Sequence, residues 1–429
     1  MKSHVLGIDI GTSGIRACIV NSKQVILYQN SLSMPVPNLQ GQASTQSPSV
    51  WKTCLDNLLD AIPCEHWKNI GHIIGDATSS TLFLANSSSK TLAMMYNDCS
   101  STKEACLIED AFNNAQQELN ENSGFTGALG ASSSLAKVMK LYQQMPNQQK
   151  LNQGSLFIFH QIDWLTHYMT GQNNITDENN ALKLGYDSVN NKWPSWVKQL
   201  CPLPLPKVVK PGTVIKQLDQ ACFLNQLDHS VEYHAGTTDS IAAFLATGAN
   251  KLGDAMTSLG SSIAIKMISE KPIFNAQLGV YSHRLNNYWL AGGASNAGGL
   301  ALLKFFSLEK IKSLSKQPLS KETTGLNYVP LIKKGERFPI YNPDLMPCFT
   351  PIAKNEQQTF QAILEALTNI ETKGYQHLVE LSGTNLTRVF TTGGGAYNEA
   401  WTSLRKQNLP IKKATLNSAA FGVTRLVLG

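Results

Sequence analysis

One short pattern occurs twice in the sequence: an apolar strand, a turn built from glycine and hydroxyl residues, and a second apolar strand. The first copy is Gly-Ile-Asp-Ile-Gly-Thr-Ser-Gly-Ile-Arg at 7–16, and the second is Thr-Ser-Leu-Gly-Ser-Ser-Ile at 257–263. Backbone amides in such a turn can hold phosphate oxygens. The two turns are therefore either paired loops that hold the phosphates of one nucleotide, or unrelated hairpins whose glycines only serve the turn.

Strands and helices alternate around both turns, which is typical of an α/β fold. A length of 429 residues predicts two or three domains. The pattern of strands restarts after a proline-rich, linker-like segment at 201–206, and a helix is predicted from 234 to 248. We therefore expect two α/β halves, 1–232 and 233–429.

Composition excludes several classes of protein. Hydrophobic residues make up 42% of the chain, enough for a sizeable core, and the net charge of +6 is spread along it. A nucleic-acid binder would more often show clustered Lys and Arg. No apolar stretch is long enough to span a membrane. The chain starts almost directly with a strand, without an export signal, and its eight cysteines show no C-x-x-C spacing. We expect a cytoplasmic protein with free thiols.

Two aspartates stand at positions suited to chemistry. Asp9 ends the first predicted strand, where it can hold Mg²⁺ through water. Asp239 lies near a predicted helix start. It is either an N-cap that satisfies free amides or a general base that accepts a proton from a hydroxyl attacking a phosphoryl group.

A triple glycine at 393–395 lies between a predicted strand and a predicted helix. Glycines there permit close approach of a flat ligand such as adenine. The segment is not a G-x-G-x-x-G fingerprint, because Asn398 stands in place of the last glycine. The phosphate loop G-x-x-x-x-G-K-[ST] is absent, which excludes P-loop ATPases by this criterion.

Taken in order, these four segments resemble the FGGY carbohydrate kinases, within the group that also contains Hsp70 and actin. The resemblance covers essentially the whole chain. It implies a two-domain actin-like ATPase fold of the ribonuclease H-like type, with mixed sheets flanked by helices and a ligand cleft between the domains. The half 1–232 would carry the sugar site and the first phosphate loop, and the half 233–429 the second phosphate loop and the adenosine site.

The resemblance also implies roles for individual residues. Asp9 would assist Mg²⁺ and the transferred phosphoryl group, and Asp239 would be the base. The expected ATP-binding residues are Gly11, Thr12, Ser13, Gly260, Ser261, Gly394, Gly395 and Asn398. The expected sugar-binding residues are Asp9, Thr78, Ser79 and Asp239.

Segments 176–187, 278–285 and 334–339 are similar to a short branch of the family that looks like the D-ribulose kinases. The chain departs from many family members at 96–100, where Trp-x-Asp-x-Arg is replaced by Tyr-Asn-Asp-Cys-Ser. Tyr96 and Ser100 thus replace the usual Trp and the Arg that grips the substrate. Asp98 either shapes the site or caps a loop.

The resemblance implies an enzyme that uses MgATP to phosphorylate a primary hydroxyl of a ketopentose, D-ribulose at C5. The alternatives are a kinase for D-xylulose, L-ribulose or a polyol, and a non-catalytic nucleotide-binding regulator on the same fold. The expected partners are ATP and a small sugar, with no nucleic acid and no membrane. The expected state is a monomer or a homodimer.

Overall fold

A computed structural model of the chain describes residues 3–86, 90–119, 127–147, 156–219, 229–416 and 418–429. Two compact units divide the chain: unit 1 is Met1–Ala246 with Ser418–Gly429, and unit 2 is Thr247–Asn417. The predicted boundary at 232/233 falls inside unit 1. Over the described ranges, none of the helices has the length and hydropathy that a membrane span requires.

The strands of the described residues are β1 (His4–Ile10), β2 (Gly14–Val20), β3 (Ile26–Ser33), β4 (Asn38–Gln40), β5 (Ala43–Gln46), β6 (Ile70–Ala77), β7 (Leu82–Ala85), β8 (Ala93–Met94), β9 (Phe157–His160), β10 (Ile175–Asp177), β11 (Lys207–Val209), β12 (Val214–Leu218), β13 (Val231–His234), β14 (Thr237–Thr238), β15 (Asp254–Leu259), β16 (Ile263–Ser269), β17 (Tyr281–Leu285), β18 (Tyr288–Ala294), β19 (Arg388–Thr392) and β20 (Ile411–Lys412).

The α-helices of the same residues are α1 (Pro48–Asp60), α2 (Cys64–Trp67), α3 (Thr102–Leu119), α4 (Ser134–Gln144), α5 (Gln161–Thr170), α6 (Glu178–Leu184), α7 (Ser195–Leu200), α8 (Asp239–Ala246), α9 (Leu300–Leu303), α10 (Leu308–Ser315), α11 (Glu356–Ser382), α12 (Glu399–Arg405) and α13 (Ala419–Leu428).

The main sheet of unit 1 has the strand order β12-β13-β6-β1-β2-β3, with β14 also paired to β6. Strand β1 is antiparallel to β2 and parallel to β6. It is buried almost throughout, because helices cover both faces of the sheet at its centre. Helix α1 packs its apolar residues Trp51, Leu55 and Leu58, spaced at helical intervals, into one core cluster with this sheet.

Helix α13 comes from the end of the chain and covers the other face of the sheet in unit 1. Val423 on α13 packs in one cluster with Val5, Ile74 and Ala242. The approach is close enough to require glycine: a Cβ added at Gly7 of β1 would lie 2.0 Å from the Ala420 carbonyl oxygen. The last helix therefore belongs to the first half of the fold.

The predicted helix 234–248 is wrong in its first turn. Residues 231–234 form β13, Thr237 and Thr238 form β14, and the helix α8 begins only at Asp239. The reason is pairing in the sheet, because Thr237 lies opposite Asp76 on β6 and Thr238 lies opposite Ala77. A strand pairing of this kind overrides the helical pattern of small residues.

The sheet of unit 2 has the order β17-β18-β16-β15-β19-β20. Strand β15 is antiparallel to β16 and parallel to β19. The long helix α11 supplies Phe360, Ile363 and Leu367 to the core of this unit. Five consecutive strands thus share one arrangement in both units: β3-β2-β1-β6-β13 in unit 1 and β18-β16-β15-β19-β20 in unit 2.

Two other expectations can be compared with the structure. The proline-rich segment 201–206 does not separate the units. It lies within unit 1, where the Trp193 indole donates a hydrogen bond to the Pro206 carbonyl. The seven cysteines among the described residues are free thiols, as expected, and Cys222 lies outside those residues.

Candidate active site

Three aspartates meet at one edge of the sheet in unit 1. Asp9 near the end of β1 is in register with Asp76 on β6. Asp76 is in turn in register with Thr237 on β14, and Asp239 follows that short strand directly. Because β1, β6 and β14 are parallel, their carboxyl ends lie at the same edge, where open α/β sheets bind ligands.

The electrostatics of this cluster are dominated by Asp76. Its side chain is fully buried, and within the described residues neither carboxyl oxygen receives a hydrogen bond from a protein donor. Burial and the negative charges of Asp9 and Asp239 hold the pKa of Asp76 well above its usual range. Such a group is stabilised by a proton, a cation or hydroxyl donors.

Asp9 is also buried, and one cation, the Arg16 guanidinium, partly offsets its negative charge. Burial raises the pKa of Asp9, while the Arg16 guanidinium works in the opposite direction. The Arg16 Nη1 atom donates to Asp9 Oδ2 at 2.6 Å, and the Arg16 side chain is 44% exposed. The register of the β1–β2 hairpin fixes this pair, because Asp9 and Arg16 lie directly opposite each other.

Asp239 is the first residue of α8 and is half-buried. Its Oδ1 atom accepts a hydrogen bond from the Ser240 backbone amide at 2.7 Å. Both readings of this residue thus have a structural counterpart, since it begins a helix and lies beside Asp76. The position at a helix start also stabilises its negative charge.

The loop after β6 brings hydroxyl and amide groups to the three aspartates. Thr78 contacts Gln161 at the start of α5: its Oγ1 atom lies 2.6 Å from Gln161 Oε1, and its backbone amide donates to the same oxygen. In the described part of the chain, the buried Ser79 Oγ and Gln161 Nε2 atoms have no hydrogen-bond partner. Buried polar atoms in this state favour a polar ligand.

Lys137 of α4 holds the loop that departs from the usual family pattern. Its buried Nζ donates to the carbonyl oxygens of Ser80 at 2.8 Å, Met95 at 2.7 Å and Tyr96 at 3.4 Å. Burial lowers the pKa of Lys137 to about 7. In its ammonium form the side chain has three protons, and these three carbonyls then occupy all its donors.

Asp98 has the structural role that one of the two hypotheses assigned to it. Its oxygens accept hydrogen bonds from the backbone amides of Ser44 at 2.7 Å and Ser100 at 2.9 Å, and from the Ser100 hydroxyl at 2.6 Å. The carboxylate is fully buried. Asp98 therefore caps the loop.

Two of the predicted loops, the one after β15 and the one after β19, lie side by side in the sheet of unit 2. Ser258 of β15 is in register with Thr392 of β19, so the loops that follow these two parallel strands are neighbours. Gly393 has a φ of 82°, and a Cβ at this position would lie 2.6 Å from the Leu259 carbonyl oxygen. Only glycine fits both the backbone conformation and this approach.

The predicted ATP-binding residues fall into two groups, one in each unit. In unit 1, the turn 11–14 is closed by a hydrogen bond from the Gly11 amide to the Gly14 carbonyl at 3.0 Å. In unit 2, the Gly260 amide donates to the Ser262 carbonyl at 3.1 Å. The exposed Gly394 and half-buried Gly395 follow β19, and the Asn398 Oδ1 caps α12 by accepting from the Trp401 amide.

Three residues of this site were missed by the sequence reasoning: Asp76, Gln161 and Lys137. Asp76 had a readable signal, since it stands near the end of a predicted strand as Asp9 does. Gln161 and Lys137 had none, because they reach the loop from helices far along the chain.

We expect Asp76→Asn to stabilise unit 1 at neutral pH, since folding of the wild type must either bury the Asp76 charge beside Asp9 and Asp239 or bind a proton there. The gain should be about 1–3 kcal/mol, the usual range for an unpartnered buried polar group. In a thermal scan this corresponds to a rise in Tm of about 2–10 °C. The exposed Asp60→Asn is the matched control and should leave Tm unchanged. A lower Tm for Asp76→Asn would contradict the repulsion between these carboxyl groups.

Family models match both units in sequence. The N-terminal domain of the FGGY family of carbohydrate kinases matches residues 4–246, and the C-terminal domain of that family matches residues 255–423. The chain belongs to the FGGY family of carbohydrate kinases. The expected two-domain fold is confirmed, and so is the broader expectation of an ATP-dependent phosphotransferase with a sugar acceptor.

Gluconokinases and xylulose kinases are among the proteins similar to this chain. A gluconokinase of Bacillus subtilis is 22% identical over 94% of this chain and 82% of its own length. A xylulose kinase of Lactococcus lactis is 22% identical over 92% of this chain and 81% of its own length. A solved structure from Brucella ovis, described as a "xyloylose kinase", covers 99% of this chain and 90% of that one, with a TM-score of 0.85 and 21% identity.

Proposed function

We propose that this kinase phosphorylates a primary hydroxyl of a ketopentose, D-ribulose at C5. The observation that carries the proposal is the cluster of Asp9, Asp76 and Asp239 next to a hydroxyl-bearing loop in unit 1. Carboxylates accept hydrogen bonds from several sugar hydroxyls at once, and one of them can take up the proton of the reacting hydroxyl.

The charge of this site favours a neutral sugar over gluconate. Three aspartates face one partly exposed guanidinium, which is already paired with Asp9. The nearby Lys137 ammonium is occupied by three carbonyl oxygens and is therefore unavailable to a substrate carboxylate. Ser100 replaces the arginine that grips the substrate in many family members. An acidic sugar would thus meet the negative charge of these aspartates.

Each residue of the candidate site has a distinct role in the proposed phosphoryl transfer. Asp239 accepts the proton of the attacking hydroxyl, and Thr78 and Ser79 orient the sugar. The carboxylates of Asp9 and Asp76 fit Mg²⁺, because among the described residues no protein group donates to the two buried Asp76 oxygens, and oxygen ligands are those that this ion prefers. Bound there, Mg²⁺ supplies charge neutralisation for the phosphates. The loops at Gly11, Thr12 and Ser13 and at Gly260 and Ser261 bind the phosphates, and Gly394, Gly395 and Asn398 border the adenosine.

The choice of D-ribulose rests on the segments 176–187, 278–285 and 334–339, which are similar to the short D-ribulose kinase branch. D-Xylulose is the second candidate, because several similar proteins are named xylulose kinases. The two sugars differ only in the configuration at C3.

A panel of acceptors tests the proposal. D-Ribulose, D-xylulose, L-ribulose, a pentitol, glycerol and gluconate are compared by kcat/KM with ATP and Mg²⁺, and phosphorus NMR locates the phosphate on the product. We expect the highest kcat/KM for D-ribulose, with the phosphate on C5, and the lowest for gluconate.

Each other outcome of the panel is informative. A preference for D-xylulose would show that the proposed sugar is wrong but that the proposed class of substrate, a ketopentose, is right. Efficient turnover of gluconate would overturn the argument from charge. A rise in Tm with ATP but no turnover of any acceptor would favour the nucleotide-binding regulator over the enzyme.

We expect Lys137→Met to weaken sugar binding and to leave ATP binding unchanged. The substitution removes the hydrogen bonds from Lys137 Nζ to the carbonyl oxygens of Ser80, Met95 and Tyr96. A hydrogen bond to a charged group contributes about 1.5–3 kcal/mol. Loss of one such contribution from the positioning of the sugar loop corresponds to a rise of about tenfold or more in the KM for the sugar. Exposed Lys103→Met on α3 is the control. An equal rise in the KM for ATP would indicate general damage to the fold instead.

A further inference from the structure

Two histidines and a glutamate form a compact cluster on the sheet of unit 1, away from the three aspartates. His72 is on β6, and Glu232 and His234 are on the neighbouring strand β13. Glu232 is directly opposite His72 in the parallel register, and His234 lies two residues further along. Side chains alternate along a strand, so all three project from the same face.

The three ligand atoms have the spacing of a tetrahedral metal site. His72 Nδ1 lies 3.1 Å from His234 Nε2 and 3.3 Å from Glu232 Oε2, and His234 Nε2 lies 3.6 Å from the same oxygen. Zinc binds nitrogen and oxygen ligands at about 2.0–2.2 Å, so two ligands at a tetrahedral angle lie about 3.3–3.5 Å apart. In the part of the chain that the structure describes, no other three such groups come as close.

The surroundings of His234 favour metal binding as well. Its Nδ1 atom lies 2.8 Å from the Gly212 carbonyl oxygen, to which it donates its proton. This bond leaves a lone pair on Nε2, which faces the other two residues. A carbonyl or carboxylate on the second ring nitrogen is the usual support of a histidine that binds a metal. Burial also lowers the pKa of His234, which favours the neutral imidazole that a metal requires.

We propose that His72, Glu232 and His234 bind a zinc ion, with a fourth position open to water. The side chains of His72 and Glu232 are 30% and 36% exposed, which gives the ion access, whereas the His234 side chain is 6% exposed. The site is separate from the aspartate cluster: His72 and Asp76 lie four residues apart on β6, a distance of about 13 Å in a strand.

The ion would join two strands whose direct pairing is short. The register of β13 with β6 contains only the pairs Glu232–His72 and Tyr233–Ile73 in the described residues. A metal bound to both strands holds β13 at this point and thereby the chain that continues through β14 to Asp239. Because zinc then binds the folded state alone, it stabilises unit 1.

The test is metal binding by the purified full chain without an affinity tag, after removal of metals by a chelator. Calorimetry with Zn²⁺ should give one site per chain. Co²⁺ should give the intense visible absorption of four-coordinate cobalt, which three nitrogen and oxygen ligands plus water produce. A Zn²⁺ titration should also raise Tm.

His72→Ala is the main variant, because His72 is partly exposed and its loss leaves the core intact. We expect Zn²⁺ affinity to fall roughly 100-fold or more, since even changes in the residues that support a ligand cost about 10–100-fold. Glu232→Gln is the second variant and should also lose the cobalt spectrum. The control is His377→Ala, which removes a surface His–Glu pair with 3.6 Å between His377 Nδ1 and Glu380 Oε2.

Four results decide whether the site exists. Tight binding by the wild type and the control but not by His72→Ala would support the site. Equal Zn²⁺ affinity in the wild type and His72→Ala would overturn it, and so would loss of binding in His377→Ala. Absence of binding in the wild type would show that the three residues form a hydrogen-bonded cluster without a metal.

Discussion

Asp239→Asn should lower kcat by roughly 10²–10⁴ while ATP binding persists, the range for loss of a general base. The substitution keeps the size of the side chain and its place at the start of α8, where Oδ1 accepts from the Ser240 amide. It removes the carboxylate that we propose takes the proton of the sugar hydroxyl. The measurement is kcat by a coupled ADP assay, together with the Kd of ATP by calorimetry.

The control for this experiment is Asp60→Asn, a carboxylate exposed at the end of α1. It should leave kcat and the Kd of ATP unchanged. Near-normal turnover by Asp239→Asn would show that Asp239 is only a helix-start residue, the structural hypothesis that the sequence left open. A parallel loss of ATP binding would mean that the substitution disturbs the fold.

Arg405→Met should destabilise unit 2 by about 3–5 kcal/mol, the cost of leaving a buried charge without its partner. The Arg405 guanidinium donates to Glu371 through Nε at 2.6 Å and Nη2 at 2.7 Å, and both side chains are fully buried. Its Nη1 donates to Thr391 at 2.9 Å, and Thr257 donates to Glu371. The network thus joins α11 and α12 to β15 and β19.

A thermal scan should show a fall of roughly 6–20 °C in the Tm of the transition assigned to unit 2. Lys310→Ala is the matched control, since it breaks an exposed pair with Glu356 that contributes about 0–1 kcal/mol. The double variant Arg405→Met, Glu371→Met should recover part of the loss, because no buried charge is then left alone. A loss in Arg405→Met no larger than in the control would contradict this account.

The local pattern of the sequence predicted much of the fold. The two hairpins with their glycine and hydroxyl turns lie where strands with tight turns were predicted, as β1–β2 and β15–β16. Helix α1 also follows its apolar spacing, with Ser47 as its N-cap. Such elements are predictable because their signals lie within a few neighbouring residues.

Features that depend on distant residues were not predictable. The position of Asp76 at a strand end was readable, but its register with Asp9 and Thr237, one far before it and one far after it in the chain, was not. The return of α13 to unit 1 depends on the fit of that helix against Gly7. Long-range pairings of this kind leave no periodic signal in a single sequence.

The shared strand order of the two units has a consequence for how charge is divided between them. On β1, Asp9 pairs with Asp76 and Arg16, whereas the corresponding Ser258 on β15 pairs with Thr392 and Ala264. At this position, therefore, the same topology carries charged side chains in unit 1 and uncharged side chains in unit 2. Under the proposed function, the base and the magnesium ligands lie in the unit that carries these charges, and the second phosphate loop and the adenosine loop lie in the other unit. If the proposed function holds, redesign of the acceptor sugar can be confined to unit 1.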